Sequence, residues 1–265
     1  MAGWPGPAAV VVVDPGGVVA QGGVDATTYP WASVTKVLTA LTILDAVRRG
    51  VLDLDEPAGP PGSTLRHLLG HASGLALDDP TRVLAAPGQR RIYSNAGIEE
   101  AAALHEQRTG SSWDRAVTKA VLEPLDMTGT RPDGSPAHGC SGPVADLAKL
   151  AHDLLAPRIL DSSLVATATA VAYPGLTGVL PGFGRQEPNP WGLGLEVRGD
   201  KSPHWTAPQS SPRTFGHFGQ SGSFLWVDPD AHLACVSAGA TAYGAWAAEA
   251  WPRLATEVLA AARTR

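Results

Sequence analysis

Strand-like segments stand at both ends of this chain and helical ones between them, and that order limits the fold more than any other feature. Ala8–Val13 is an unbroken apolar run rich in β-branched residues. Asp14-Pro15-Gly16-Gly17 closes it and Val18–Gln21 follows, a strand, turn and second strand. Strand signals return only late, at Trp191–Val197 and then at Gly222–Val227 and His232–Ala238, which flank the turn Asp228-Pro229-Asp230. Between them the period changes. Val34, Val37, Leu38, Leu41, Leu44 and Val47 recur at three and four residues, so Ser33–Arg49 predicts a helix with one buried face, stopped by Gly50. Further helices are predicted at Thr64–Leu69, at Gly97–Arg108 before Gly110, from a capping box at Ser111 to Asp114 up to Pro124, at Pro143–Leu155, and at Trp246–Ala262. Pro174–Pro190 reads as a long loop. The expected class is α+β: one antiparallel sheet built from both chain ends, flanked by helices, with a mostly helical lobe inserted. The expected lobes are 1–55 with 186–265 (sheet plus helix) and 56–185 (inserted), with an active site between them.

Composition narrows the functions. With 265 residues and 44% hydrophobic, a sizeable core can be buried, and 30 Gly with 23 Pro indicate many turns without low complexity. A net charge of −5 argues against nucleic acid or an anionic membrane as partner. The two cysteines, Cys140 and Cys235, are far apart and fit neither a disulfide scaffold nor a thiolate zinc site, so Cys140 is expected to be buried and unreactive. His105-Glu106 lacks the second histidine of a zinc-protease helix, and no phosphate- or dinucleotide-binding glycine pattern occurs, so neither metal nor cofactor is expected. Ala8–Val13 lacks a preceding basic region and is far too short to span a bilayer; the expected location is the cytoplasm.

Three short elements can carry chemistry. Ser33-Val34-Thr35-Lys36 opens the best-patterned helix and sets a hydroxyl and an amine one turn apart on the same side. A serine alcohol needs a base or cation beside it to act as a nucleophile, and the N–H groups of a first helical turn can stabilise an oxyanion. Chance gives about 0.24 such pairs in a chain of this composition, so an N-capping serine with a solvated lysine is an alternative. Tyr93-Ser94-Asn95 is rarer, at about 0.03 Tyr-x-Asn pairs by chance. A neighbouring ammonium such as Lys36 would favour the Tyr93 phenolate or sharpen the hydroxyl as a proton shuttle, and Asn95 offers an amide to a substrate carbonyl. The alternative is a packed tyrosine and a helix-capping asparagine. His217-Phe218-Gly219 precedes Gln220 on or beside a predicted strand; Gly219 permits close approach of a ligand, and the Gln220 N–H can serve as an oxyanion donor. Trp31 is a candidate lining residue for an acyl pocket. No Gly-x-Ser-x-Gly surrounds any serine, which removes the main signal for an α/β-hydrolase elbow.

In this order the elements resemble those of the serine β-lactamase and penicillin-binding-protein superfamily, with Tyr-Ser-Asn second and His-Phe-Gly third, as in its class C-like branch of D-alanyl-D-alanine carboxypeptidases and family VIII esterases. Leu68–Leu75, Glu123–Thr128, Asp146-Leu147-Ala148 and Trp191–Gly194 are similar to stretches of that branch, so the resemblance runs from about Ala8 onward. It implies Ser33 as the acylated nucleophile, Lys36 and Tyr93 sharing acid and base roles, Asn95 orienting substrate, His217 supporting Tyr93, and the N–H groups of Ser33 and Gln220 as oxyanion hole. His71 would be structural. The chain departs from the pattern in carrying histidine rather than lysine in the third element, which tilts the expected substrate from carboxylate-bearing compounds toward small esters or neutral amides, with β-lactams as slow substrates or inhibitors. Little sequence precedes the first strand, so the N-terminal helix usual in the branch is not expected. A D-alanyl-D-alanine peptidase, or a catalytically silent ligand-binding protein on the same fold, are the competing readings.

Overall fold

The computed structural model, which describes residues 3–23, 26–158 and 160–263, brings the two ends of the chain into one sheet. β1 (Ala8–Asp14) turns into β2 (Gly17–Gly22), with the Asp14 carboxylate accepting from the Gly16 N–H at 2.7 Å. Short β3 (Tyr29–Pro30) and a 3₁₀ turn over Ala32–Val34 lead into α1 (Thr35–Arg48). Next come α2 (Leu65–Leu69), α3 (Asn95–Thr109) and α4 (Trp113–Val117), the last running on through a π turn at Thr118–Leu122. β4 (Arg131–Pro132) and β5 (Cys140–Gly142) join β3 in a small sheet. α5 (Val144–Leu155), α6 (Ser162–Thr169) and the hairpin β6 (Gly178–Leu180)–β7 (Gly184–Gln186) follow. β8 (Glu196–Val197), β9 (Phe215–Phe218), β10 (Phe224–Asp228), β11 (Leu233–Gly239) and α7 (Ala245–Ala262) complete the order.

The main sheet is antiparallel in the order β2-β1-β11-β10-β9-β8. β1 and β11 pair from Ala8↔Gly239 to Val13↔Ala234, so the fold is the α+β class expected of the sequence. β1 is apolar on consecutive residues because both its faces are covered. Ala9, Val11 and Val13 join the core that holds α1 and α5; Val10 and Val12 join a second core with Trp226, Cys235 and Trp251 and Ala255 of α7. Each such valine contributes about 1.5–3 kcal/mol on burial.

α1 departs from the one-faced helix that its apolar spacing predicts. It is buried almost all round, because the stripe opposite the leucines is made of hydroxyls that find partners. Thr35 Oγ1 accepts from the Cys140 N–H at 3.0 Å, Thr39 Oγ1 donates to the Pro136 carbonyl at 2.6 Å, and Trp113 Nε1 donates to Thr39 at 3.0 Å. Hydroxyls so satisfied cost little to bury. Other elements also differ from expectation. No capping box forms at Ser111–Asp114: Ser112 is the N-cap of α4 and its side chain caps nothing. Pro174–Pro190 contains the β6–β7 hairpin, and α6 was not foreseen. Of Trp191–Val197 only β8 is strand, because Gly194 sits in the left-handed region (φ 73°) where its missing Cβ lets the chain close on α1 at Ala40. Among the described residues, no helix is long and apolar enough to cross a membrane.

A buried ionic network fixes the 187–206 segment. Glu196 Oε1 accepts from Lys201 Nζ at 2.5 Å and lies 3.0 Å from His204 Nε2, and Oε2 accepts from Trp205 Nε1 at 2.5 Å. Lys201 also donates to Asn189 Oδ1 at 3.1 Å. Both charges are essentially inaccessible to solvent. Removing Glu196 leaves the buried Lys201 ammonium without its counter-charge, so Glu196→Leu is expected to lower stability by about 3–5 kcal/mol. Urea denaturation at neutral pH checks this; a loss under 1 kcal/mol would contradict it.

Candidate active site

The site assembles where the start of α1, the start of α3 and the end of β9 meet. Ala32 lies in the left-handed region (φ 46°), which turns the chain sharply before Ser33. Gly219 packs straight onto that turn: a Cβ built on it would stand 3.2 Å from the Ser33 nitrogen and closer still to the Trp31 carbonyl. The glycine thus serves approach to the serine turn itself, where the sequence suggested approach to a ligand. Trp31 is a correction. It is 0% exposed, its indole donates to the Gly142 carbonyl at 3.1 Å, and it supports the turn from the core rather than lining a pocket.

Lys36 is also 0% exposed, which removes the solvated-lysine alternative. Its Nζ lies 3.1 Å from Ser33 Oγ, 2.6 Å from Asn95 Oδ1 and 2.8 Å from the Ala137 carbonyl. Burial lowers its pKa from 10.5 to about 7, against the opposing pull of the Glu99 and Asp78 carboxylates. Two of the three neighbours, the amide oxygen and the backbone carbonyl, can only accept. Two N–H bonds are therefore committed to them in either protonation state. The third position, toward Ser33, is an N–H in the ammonium and a lone pair in the amine.

Ser94, not Asn95, caps α3: its Oγ accepts from the Gly97 N–H at 2.9 Å. That frees the Asn95 side chain, whose Nδ2 donates to Asp78 Oδ1 at 2.7 Å while its Oδ1 faces Lys36. The Ser33 side chain acts on the Tyr93 phenol and opposes the rise in its pKa. Tyr93 Oη lies 3.4 Å from His217 Nε2, and its ring centroid lies 4.8 Å from Lys36 Nζ. The nearby ammonium does not make a phenolate of Tyr93. Burial, the largest effect, raises its pKa, with Asp78 and Glu196 adding to the rise, and the phenol stays protonated. His217 Nδ1 is 2.7 Å from the Phe218 carbonyl, which can only accept, so the proton sits on Nδ1 and Nε2 faces Tyr93 as an acceptor. Burial and the Lys36 charge lower the His217 pKa to about 3, leaving a neutral imidazole.

The Tyr93 ring is held by its neighbours. The His71 ring packs against it at a tilt with centroids 4.5 Å apart, the Trp191 centroid lies 5.7 Å away, and Trp191 also meets His217 edge-on at 5.4 Å. His71 Nδ1 accepts from the Ser94 N–H at 3.2 Å, a packing role. Cys140 is buried and its thiol is pushed up to about 12. Gln220 is exposed, two residues past the end of β9. The spacing of short motifs did not point to Asp78, the Ala137 carbonyl or Trp191. Asp78 lies in a loop without periodicity, and a carbonyl carries no side-chain signal. Trp191 alone had a cue, the Trp-Gly-Leu-Gly stretch. A groove of about 490 Å³ between β1, β2 and α7 contains none of these residues.

Comparison with known proteins identifies relatives of this fold. The Beta-lactamase family model matches residues 2–260. A β-lactamase of Mycobacterium bovis is 52% identical, with a TM-score of 0.95 over 98% of this chain and 97% of that one. The LovD6 mutant of the simvastatin synthase LovD of Aspergillus terreus has the same fold at 17% identity, with a TM-score of 0.78 over 98% of this chain and 91% of that one. EstCE1, a hydrolase with promiscuous acyltransferase activity, matches at 18% identity and TM-score 0.76 over 94% and 93%. A β-lactamase of Escherichia coli K12 is 29% identical over 130 residues, and the match spans about a third (34%) of that relative's length. Matched along nearly its full length by one family model and by a solved relative at more than half identity, the chain belongs to the Beta-lactamase family.

Proposed function

We propose that this protein is a serine hydrolase that cleaves small esters or amides through an acyl-enzyme on Ser33, in the crevice where segments 1–55 and 186–265 meet the inserted segment 56–185. The observation that carries the reading is the three-way binding of Lys36. With a pKa of about 7, about half the lysine is amine at neutral pH, and the amine's lone pair faces Ser33 Oγ at 3.1 Å. Lys36 takes the serine proton as Oγ attacks the substrate carbonyl. The N–H groups of Ser33 and Gln220 face the oxygen on which charge develops. Tyr93, a neutral phenol, gives its proton to the leaving oxygen or nitrogen, and the Lys36 ammonium stabilises the phenolate until it is reprotonated. His217 Nε2 holds the phenol in line. Water then attacks the acyl-enzyme, the same groups working in reverse. A β-lactam would acylate Ser33 and leave slowly.

The test is intact-protein and peptide mass spectrometry after incubation with an activated ester or a penicillin. The expected result is one acyl adduct per chain, on the peptide containing Ser33. Turnover with the adduct on another residue would overturn the proposal. Tyr93→Phe removes the proton donor while keeping the ring among His71, Trp191 and His217. It is expected to lower kcat about 10²–10⁴-fold, more for amides than for activated esters, whose leaving groups need no proton. Steady-state kinetics on the two substrate types check this.

A further inference from the structure

We infer that Asp78 makes this site disfavour carboxylate-bearing substrates and favour esters or amides that carry a positive charge; the inference rests on the serine acyl-transfer reading above and narrows its substrate class. Asp78 is fixed, although it is exposed. The neighbouring Leu77 carbonyl accepts from the N–H groups of Asn95 at 2.6 Å and Ala96 at 3.0 Å, which ties the loop to the start of α3. The Asp78 carboxylate accepts from Asn95 Nδ2 at 2.7 Å, and Asn95 Oδ1 meets Lys36 at 2.6 Å. The charge therefore stands one residue away from the Lys36–Ser33 pair and still faces solvent, where a substrate meets it.

Among the described residues, no cation other than Lys36 touches the Ser33, Tyr93 or Asn95 side chain. Lys36 spends its three positions inside the protein, and His217 is neutral. Arg91 is buried, its guanidinium held by the carbonyls of Gly70, Ala172, Tyr173 and Asn189. Arg82, in the same loop, acts on Asp79. The charges acting on Lys36 are those of Glu99 and Asp78; those acting on Tyr93 are Asp78 and Glu196; those acting on His217 are Lys36 itself and Glu196. An incoming carboxylate meets repulsion at Asp78, whereas an ammonium is drawn to it. The same loop exposes Leu77, Val83 and Leu84, apolar surface on which the organic part of such a substrate can rest. One exposed charge pair is worth roughly a factor of 2–5, so passing from an anionic to a cationic substrate changes kcat/KM about tenfold at low ionic strength.

The experiment uses three acetyl thioesters of matched size whose thiol part is cationic (a quaternary ammonium), neutral or carboxylate-bearing. The full-length chain is assayed as wild type, Asp78→Asn, Asp78→Lys and Ser33→Ala, at low and high salt. Asp78→Asn keeps an oxygen to accept from Asn95 and removes only the charge. The readout is the cationic-to-anionic ratio of kcat/KM within one preparation, so a reduced folded fraction cancels. The expected ratio is about ten in wild type, near one at high salt, under three in Asp78→Asn, and inverted in Asp78→Lys. A wild-type ratio near one, or a ratio unchanged in Asp78→Lys, overturns the inference while Ser33-dependent turnover leaves the serine reading standing. Turnover that survives Ser33→Ala, or no turnover of any thioester, overturns both.

Discussion

Ser33→Ala is expected to abolish covalent labelling and to lower turnover by roughly 10⁴–10⁶-fold, because nucleophile and base act as a unit and the loss of either removes most of what the pair supplies. The change should leave the fold intact. The turn at Ser33 is set by the left-handed Ala32 and by Gly219 lying against it, and the serine side chain is only partly buried. Lys36 loses one of three neighbours but keeps Asn95 and Ala137. Burst kinetics and mass spectrometry check the result. Hydrolysis as fast as wild type would remove Ser33 from the chemistry. No turnover by either protein, with ligand binding equal in both, would leave a binding protein on this scaffold.

Lys36→Met is expected to cost about as much, 10⁴–10⁶-fold, and its signature is the pH profile. The base is the amine, not the ammonium. Because burial lowers the pKa from 10.5 to about 7, the amine fraction grows tenfold per pH unit below about 7 and saturates above it. The wild-type kcat/KM should therefore rise with slope one and level off near pH 7, while any residual activity of Lys36→Met should be free of that limb. A wild-type limb near pH 10 would mean that Lys36 keeps the affinity of a solvated lysine, and would sink its role as base. Glu99→Gln should move the limb to lower pH, since Glu99 is the largest of the charges that raise the Lys36 pKa. Glu99 also accepts from Ser135 at 2.5 Å, in the loop that carries the Ala137 carbonyl.

Much of this was legible in the residues because it rests on short-range rules. The β-branched run of β1, the hairpin at Asp228-Pro229-Asp230 and the three-residue step from Ser33 to Lys36 are local patterns, and the structure builds elements on each. What could not be read depends on partners distant in sequence. The hydroxyl stripe of α1 looks like a solvent face until the 136–140 loop and Trp113 are packed on it. Of the two states that a neighbouring ammonium allows Tyr93, phenolate or proton-shuttling hydroxyl, burial selects the neutral hydroxyl, and burial follows from packing by residues distant in sequence. Trp31, judged by nearness to Ser33 along the chain, points into the core. Asp78 reaches the site only because its loop is pinned to the start of α3 by backbone bonds, which no side-chain motif announces.

The pairing of β1 with β11 has a consequence for how the protein is made. Val10 and Ser237 face each other across that ladder, so the first strand leaves the ribosome about 230 residues before the neighbour that completes it. Such pairing carries a large loop-closure cost and a slow approach to the native state. Until β11 has been made, Ala8–Val13 is an apolar ribbon with one open edge, the kind of segment on which chains adhere to one another. Recovery of active material from a heterologous host should therefore respond to slower synthesis or added chaperone more than to changes on the finished surface.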